Sequence, residues 1–102
     1  LDILFKNSKL RKACQNAKGK LKRRLDDIRA AENMAVLKGL PGNLHPLKHD
    51  RKGQWGMSLE GLNRLVFRPE GDPLPVTEDG RLELEEISAI MVVDIGDYHG
   101  WS

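Results

Sequence analysis

The segment that most limits the fold is Ile87 to Ile95, which is apolar on both of its faces. Its longest unbroken stretch, Ile87-Ser88-Ala89-Ile90-Met91-Val92-Val93, is far shorter than the roughly 20 residues a membrane helix needs. It has the length and β-branched content of a buried strand. A strand apolar on both faces must lie centrally in its sheet, with other elements packed against it. The chain has 102 residues, enough for one domain and one modest core, so a single domain over 1–102 is expected.

The elements that could cover such a strand are legible upstream. Residues 1–6 alternate loosely as a first strand. Asn7 and Ser8 are good helix N-cap types, and Leu10, Ala13, Cys14 and Ala17 follow at helical spacing. Gly19 interrupts. A second helix carries Leu21, Leu25 and Ile28 on one stripe, with Lys20, Lys22, Arg23 and Arg24 around the rest. A last short helix, Glu32 to Lys38 with Met34 and Leu37 inward, stops at Gly39-Leu40-Pro41-Gly42.

Beyond Gly42 the period changes to that of strands. Leu44 to Lys48 is a short extended piece that Pro46 confines to an edge or a strand end. His49-Asp50-Arg51-Lys52-Gly53 is a turn, and Trp55, Met57 and Leu59 alternate with Gln54, Gly56 and Ser58. In Leu62 to Arg68, Leu65 and Phe67 face one way while Arg64, Val66 and Arg68 face the other. Residues 69–86 hold seven acids against one Arg, with three prolines and two glycines. They predict a long acidic loop, with a hairpin or short helix around Leu82 and Leu84. The order predicts an α+β fold, an N-terminal strand and helices packed on one face of a small twisted antiparallel sheet.

The net charge of +2 conceals an asymmetry. Residues 1–52 hold 14 Lys/Arg against 5 Asp/Glu, a balance of +9, and residues 53–102 hold 3 against 10, a balance of −7. A basic half is either a solvated surface or a polyanion-binding one. The start, Leu1 to Lys6, lacks the basic stretch and cleavage site of a secretory signal, so a cytoplasmic protein with no membrane partner is expected. Cys14 is the only cysteine, which excludes an internal disulfide, and its helical spacing from Leu10 suits a buried hydrophobe.

Several enzyme classes lack their motifs here. There is no Gly-rich phosphate loop and no Gly-x-Ser-x-Gly elbow. His45 and His49 are four apart, the helical spacing of two metal ligands, but Pro46 opposes a helix and no third ligand lies nearby, so no metal is expected. What remains are polar groups at strand ends: His45, Lys48, Arg51 and Lys52 around one turn, Arg64 and Arg68 on one strand face, and Asp97-Tyr98-His99 after the central strand. Taken singly, each suits a structural or solvated role. Together they suit metal-free cleavage of RNA by its own 2′-hydroxyl, which needs proton-transfer groups and cations on the crowded phosphate. Tyr98 could stack on an unpaired base.

Leu40-Pro41-Gly42-Asn43-Leu44-His45-Pro46-Leu47-Lys48, followed by Asp50-Arg51-Lys52-Gly53 and Trp55, resembles the centre of HigB-type toxins of the RelE/ParE superfamily. Asn63-Arg64-Leu65-Val66-Phe67-Arg68 and the terminal Asp97-Tyr98-His99 are similar to further blocks of that family, in its order and spacing. The resemblance implies a RelE-like fold without cofactor. It also implies cleavage of messenger RNA, usually on the ribosome, and neutralisation by a cognate, HigA-like helix-turn-helix antitoxin. It places proton transfer on Asp97 and His99, with Tyr98 beside them, proton transfer or phosphate binding on His45, and charge stabilisation on Lys48 and Arg68. Arg51, Arg64 and the helical Lys20, Arg23 and Arg24 are the remaining candidates for RNA phosphate. The loop at 69–86 departs from the short turn common in the family and looks like that of its longer "killer protein" subgroup. Two alternatives stand: a ParE-like poison of DNA gyrase, and an inactive member that binds RNA or a partner. Strict alternation would also set His45 and Lys48 on opposite faces unless the strand ends between them.

Overall fold

The computed structural model describes residues 1–97. Strand β1 (Asp2–Phe5) leads into helices α1 (Ser8–Gln15), α2 (Gly19–Ala30) and α3 (Met34–Lys38). Strands β2 (His45–Pro46), β3 (Trp55–Ser58), β4 (Asn63–Pro69) and β5 (Ala89–Asp97) follow. They form one five-stranded sheet in the order β1-β5-β4-β3-β2. The architecture is α+β, as expected, with β5 flanked by β1 and β4. Four strands make an antiparallel meander, whereas β1 joins β5 in parallel, with Phe5 opposite Val92. The parallel pairing of β1 adds to the antiparallel sheet expected from the sequence, because periodicity carries no information about strand direction.

Local chemistry sets the helix limits. The Asn7 side chain accepts the Leu10 N–H at 2.9 Å and starts α1, and Asn33 does the same for Val36 N–H at 3.0 Å and starts α3. Each satisfies a donor that the first helical turn leaves orphaned. The helices lie on one face of the sheet, where Cys14, Leu25, Ile28, Met34 and Leu37 pack with Met57, Leu65, Phe67, Ile90 and Val92. Fully burying such a side chain contributes roughly 1.5–3 kcal/mol. Ala13, expected on this stripe, is instead exposed. Among the described residues no polar or charged residue is buried, and no helix is long and apolar enough to cross a membrane.

The acidic segment 69–86 is folded. Val76 bridges Leu82, Thr77 N–H donates to Arg81 O, and a 3-10 turn at Leu84–Glu86 follows. Leu82 and Leu84 pack on the main core, and Met34 N–H donates to Ile87 O at 3.2 Å, which ties α3 to the end of this segment.

The face opposite the helices has its own small cluster, Leu47, Val66 and Val93 with Met91. Its cover is the β2–β3 loop. Leu47 N–H donates to Gln54 O, and the intervening residues turn through a short 3-10 segment at His49–Arg51.

Candidate RNA-processing face

Strand alternation assigns the side chains. On β4, Leu65 and Phe67 join the main core, so Arg64, Val66 and Arg68 point to the opposite, helix-free face. Arg68 Nη2 meets Met91 Sδ at 3.3 Å there. On β3, Met57 and Trp55 face the helices, which leaves Gly56 on the open side.

His45 stands opposite Gly56, and a Cβ built at Gly56 would lie 3.8 Å from His45 Cε1 and 3.2 Å from Leu47 Cδ2. The glycine makes room for both side chains. His45 is half-buried, and its Nδ1 lies 2.7 Å from Asn43 O. A carbonyl can only accept, so in the neutral ring this contact places the proton on Nδ1 and leaves Nε2 as the bare acceptor. Asn43 presents that carbonyl from a left-handed backbone (φ 51), a conformation in which Asn is enriched among non-glycine residues. Asn43 was not singled out in the sequence, although its place in a Pro-Gly-Asn turn is a fair signal for such a conformation.

β2 ends at Pro46, so the alternation that would have separated His45 from Lys48 stops between them. Lys48 is exposed at the start of the 3-10 turn. Arg51 is not free for phosphate in the same way: Nη2 donates to Asp94 Oδ2 at 2.8 Å and Nη1 to Gln54 Oε1 at 3.1 Å. Arg64 Nη1 donates to Asn63 O, and Arg68 Nε lies 3.6 Å from Glu70 Oε1, too long for a hydrogen bond. Glu70 Oε1 is itself buried and accepts no hydrogen bond among the described residues, so the nearby Arg68 charge is its compensation, while the guanidinium is half-exposed to the open face.

Asp97 is exposed at the end of β5 opposite Asn63, and alternation from Ile95, which packs on the main core, puts it on the helix side of the sheet and not on the open face expected for it. Three strand steps separate β5 from β2, roughly 14 Å at the usual interstrand spacing, so Asp97 and His45 do not touch. Tyr98 and His99 lie outside the described residues.

Lys20, Arg23 and Arg24 belong to α2, in the layer on the other side of the sheet from His45. They border a surface cavity of about 470 Å³ together with Asp26, Asp27 and Pro41. Arg24 does not point away from the core as its spacing predicts. Its Nε donates to Ser58 O at 3.1 Å, and its side chain is 13% exposed. The reason is Gly42, whose missing side chain leaves the space that Arg24 fills. Lys22 pairs with Asp26 at 2.8 Å. The open face therefore gathers His45, Arg64 and Arg68 with the basic loop, and it does not gather the helical cations.

No protein-family model matches the chain, and no curated protein matches its sequence. Among solved structures, a YoeB/ParE toxin from Agrobacterium tumefaciens is similar to it, with a TM-score of 0.60 at 17% identity, over 97% of this chain and 100% of that one. The chain shares the fold of that protein. At that identity the likeness concerns the backbone alone.

Proposed function

We propose that this protein is the toxin of a toxin–antitoxin pair, a HigB-type endoribonuclease that cuts messenger RNA in the cytoplasm, on the ribosome, and is held silent by a cognate HigA-like antitoxin. The observation that carries this reading is His45. Its ring is fixed by a backbone carbonyl so that Nε2 is available on the same sheet face as Arg64 and Arg68, within a toxin-type fold.

The chemistry needs no metal or cofactor. His45 Nε2 takes the proton of a ribose 2′-hydroxyl, and the resulting oxygen attacks the adjacent phosphorus. The bond from phosphorus to the 5′-oxygen breaks, giving a 2′,3′-cyclic phosphate and a 5′-hydroxyl. In this reading that leaving oxygen receives a proton from His99, with Tyr98 beside it, as the family resemblance assigns. It does not come from Asp97, which strand alternation from Ile95 sets on the helix side. Arg68 and Lys48 bear the charge that builds on the phosphate.

Induction of the chain without an antitoxin, followed by primer extension on translated messages, tests the reading. Growth arrest with discrete message cleavage, relieved by an antitoxin, is the expected outcome. Arrest with DNA breaks and intact messages identifies a gyrase poison, and absence of both identifies an inactive binding member of the fold.

A further inference from the structure

β5 carries an irregularity that places one side chain. Val66 is opposite Asp94, yet Phe67 is opposite Val92, so Val93 is an extra residue on β5. In a regular strand Asp94 would share the face of Ile90 and Val92 and enter the main core, where a carboxylate is costly. The bulge turns it to the open face instead, re-aiming a side chain as bulges commonly do.

There the carboxylate is fixed at both oxygens. Oδ1 accepts Ile95 N–H at 2.9 Å and Oδ2 accepts Arg51 Nη2 at 2.8 Å. The Arg51 and Asp94 side chains are 25% and 36% exposed. The pair joins the β2–β3 loop to β5 across the whole open face, 43 residues apart in sequence. The same loop carries Lys48 and Lys52, both exposed, immediately after His45.

We infer that Asp94 is a positioning residue for RNA binding. Through Arg51 it holds the β2–β3 loop across the sheet, so that Lys48 and Lys52 flank His45 along the path of the RNA backbone. Arg51 is thereby a tether and not a phosphate ligand. This rests on the RNA-cleaving reading above, and it makes a prediction of opposite sign to simple electrostatics. If Arg51 served phosphate directly, removing the neighbouring carboxylate would free a cation and strengthen RNA binding. If Asp94 positions the loop, the same change weakens binding.

The test uses the full chain as wild type, Asp94→Asn, Arg51→Gln and the charge swap Arg51→Asp/Asp94→Arg. Two quantities are read: binding of a single-stranded RNA oligonucleotide across salt, and hydrogen exchange of the loop amides Arg51, Lys52 and Gln54, which donate within the turn. Releasing two lysines from phosphate should lower the salt slope by roughly 1.4 and the affinity by about tenfold. Both single variants should show this together with faster exchange in the loop, and the swap should restore both properties to within a few-fold. Asp94→Asn that binds RNA as tightly as wild type or more tightly overturns the inference, as does unchanged loop exchange in both single variants. A wild-type chain that binds no RNA at all instead overturns the functional reading, and the role of Asp94 in RNA binding falls with it.

Discussion

Replacing His45 by Gln separates chemistry from folding more cleanly than any other change on the open face. The ring makes one hydrogen bond, to Asn43 O, from a half-buried position on an edge strand two residues long. Losing one such bond costs about 0.5–1.5 kcal/mol, and the Gln amide can still donate to that carbonyl, so the low end applies. For a domain of this size that is a drop of about 2–4 °C in Tm, since 1 kcal/mol moves Tm by roughly 4–8 °C. The chemical loss is far larger. A positioned proton-transfer group contributes about 10²–10⁴-fold, or roughly 2.7–5.4 kcal/mol of barrier at 1.36 kcal/mol per decade. Gln has no proton to exchange near neutral pH, so cleavage should fall by at least about 100-fold while RNA affinity changes only a few-fold. Single-turnover cleavage of a translated message, read by primer extension beside a thermal melt of the same preparation, measures both. Adding His99→Gln should make the double variant hardly worse, because groups that act as one unit are not additive. A folded His45→Gln protein that cleaves at the wild-type rate would refute the assignment of the base and the tautomer argument with it.

Asn43→Gly should keep cleavage within a few-fold, because glycine tolerates the left-handed backbone, whereas Asn43→Val should cost about 1–2 kcal/mol and lower cleavage by misplacing the carbonyl that holds His45; paired melts and cleavage rates check this. Lys20→Gln with Arg23→Gln should leave the melt unchanged and lower the RNA salt slope by roughly 0.7 for each phosphate lost, and an unchanged slope marks that helix face as merely solvated. Arg24→Gln should instead destabilise the fold by about 1–3 kcal/mol through the lost bond to Ser58 O, visible in a denaturant titration. Burial pushes the Cys14 thiol up, with the positive charge of Arg29 only partly opposing it. Its folded value therefore lies above its unfolded one, so the stability it contributes is complete below the ordinary thiol value of about 8.5 and is lost as pH rises beyond it. Wild type should accordingly lose stability relative to Cys14→Ala between pH 8 and 10, and parallel pH profiles for the two proteins would contradict that.

What the sequence discloses and what it withholds divide along one physical line, the range of the interaction. Asn7 as a cap, the stripe of Leu25 and Ile28, the edge position of Pro46 and the two-sided burial of β5 all follow from neighbours a few residues apart, and periodicity carries them. The parallel pairing of β1, the hydrogen bond from Arg24 to Ser58 and the reach of Arg51 to Asp94 depend on partners 34 or more residues away. No local pattern encodes these. The open face shows the division most sharply. The sequence places Arg64, Val66 and Arg68 together because β4 alternates without interruption. It cannot place Asp94, because one extra residue at Val93 inverts every later position on β5. Yet a trace was present: Asp94 is the one charged residue between Ile87 and Ile95. A carboxylate inside a strand that must be covered on both faces needs a partner or a way out of the core. The bulge supplies the second and Arg51 the first. The demand for a partner is thus legible in one strand, while its identity exists only once the sheet and the loop over it have formed.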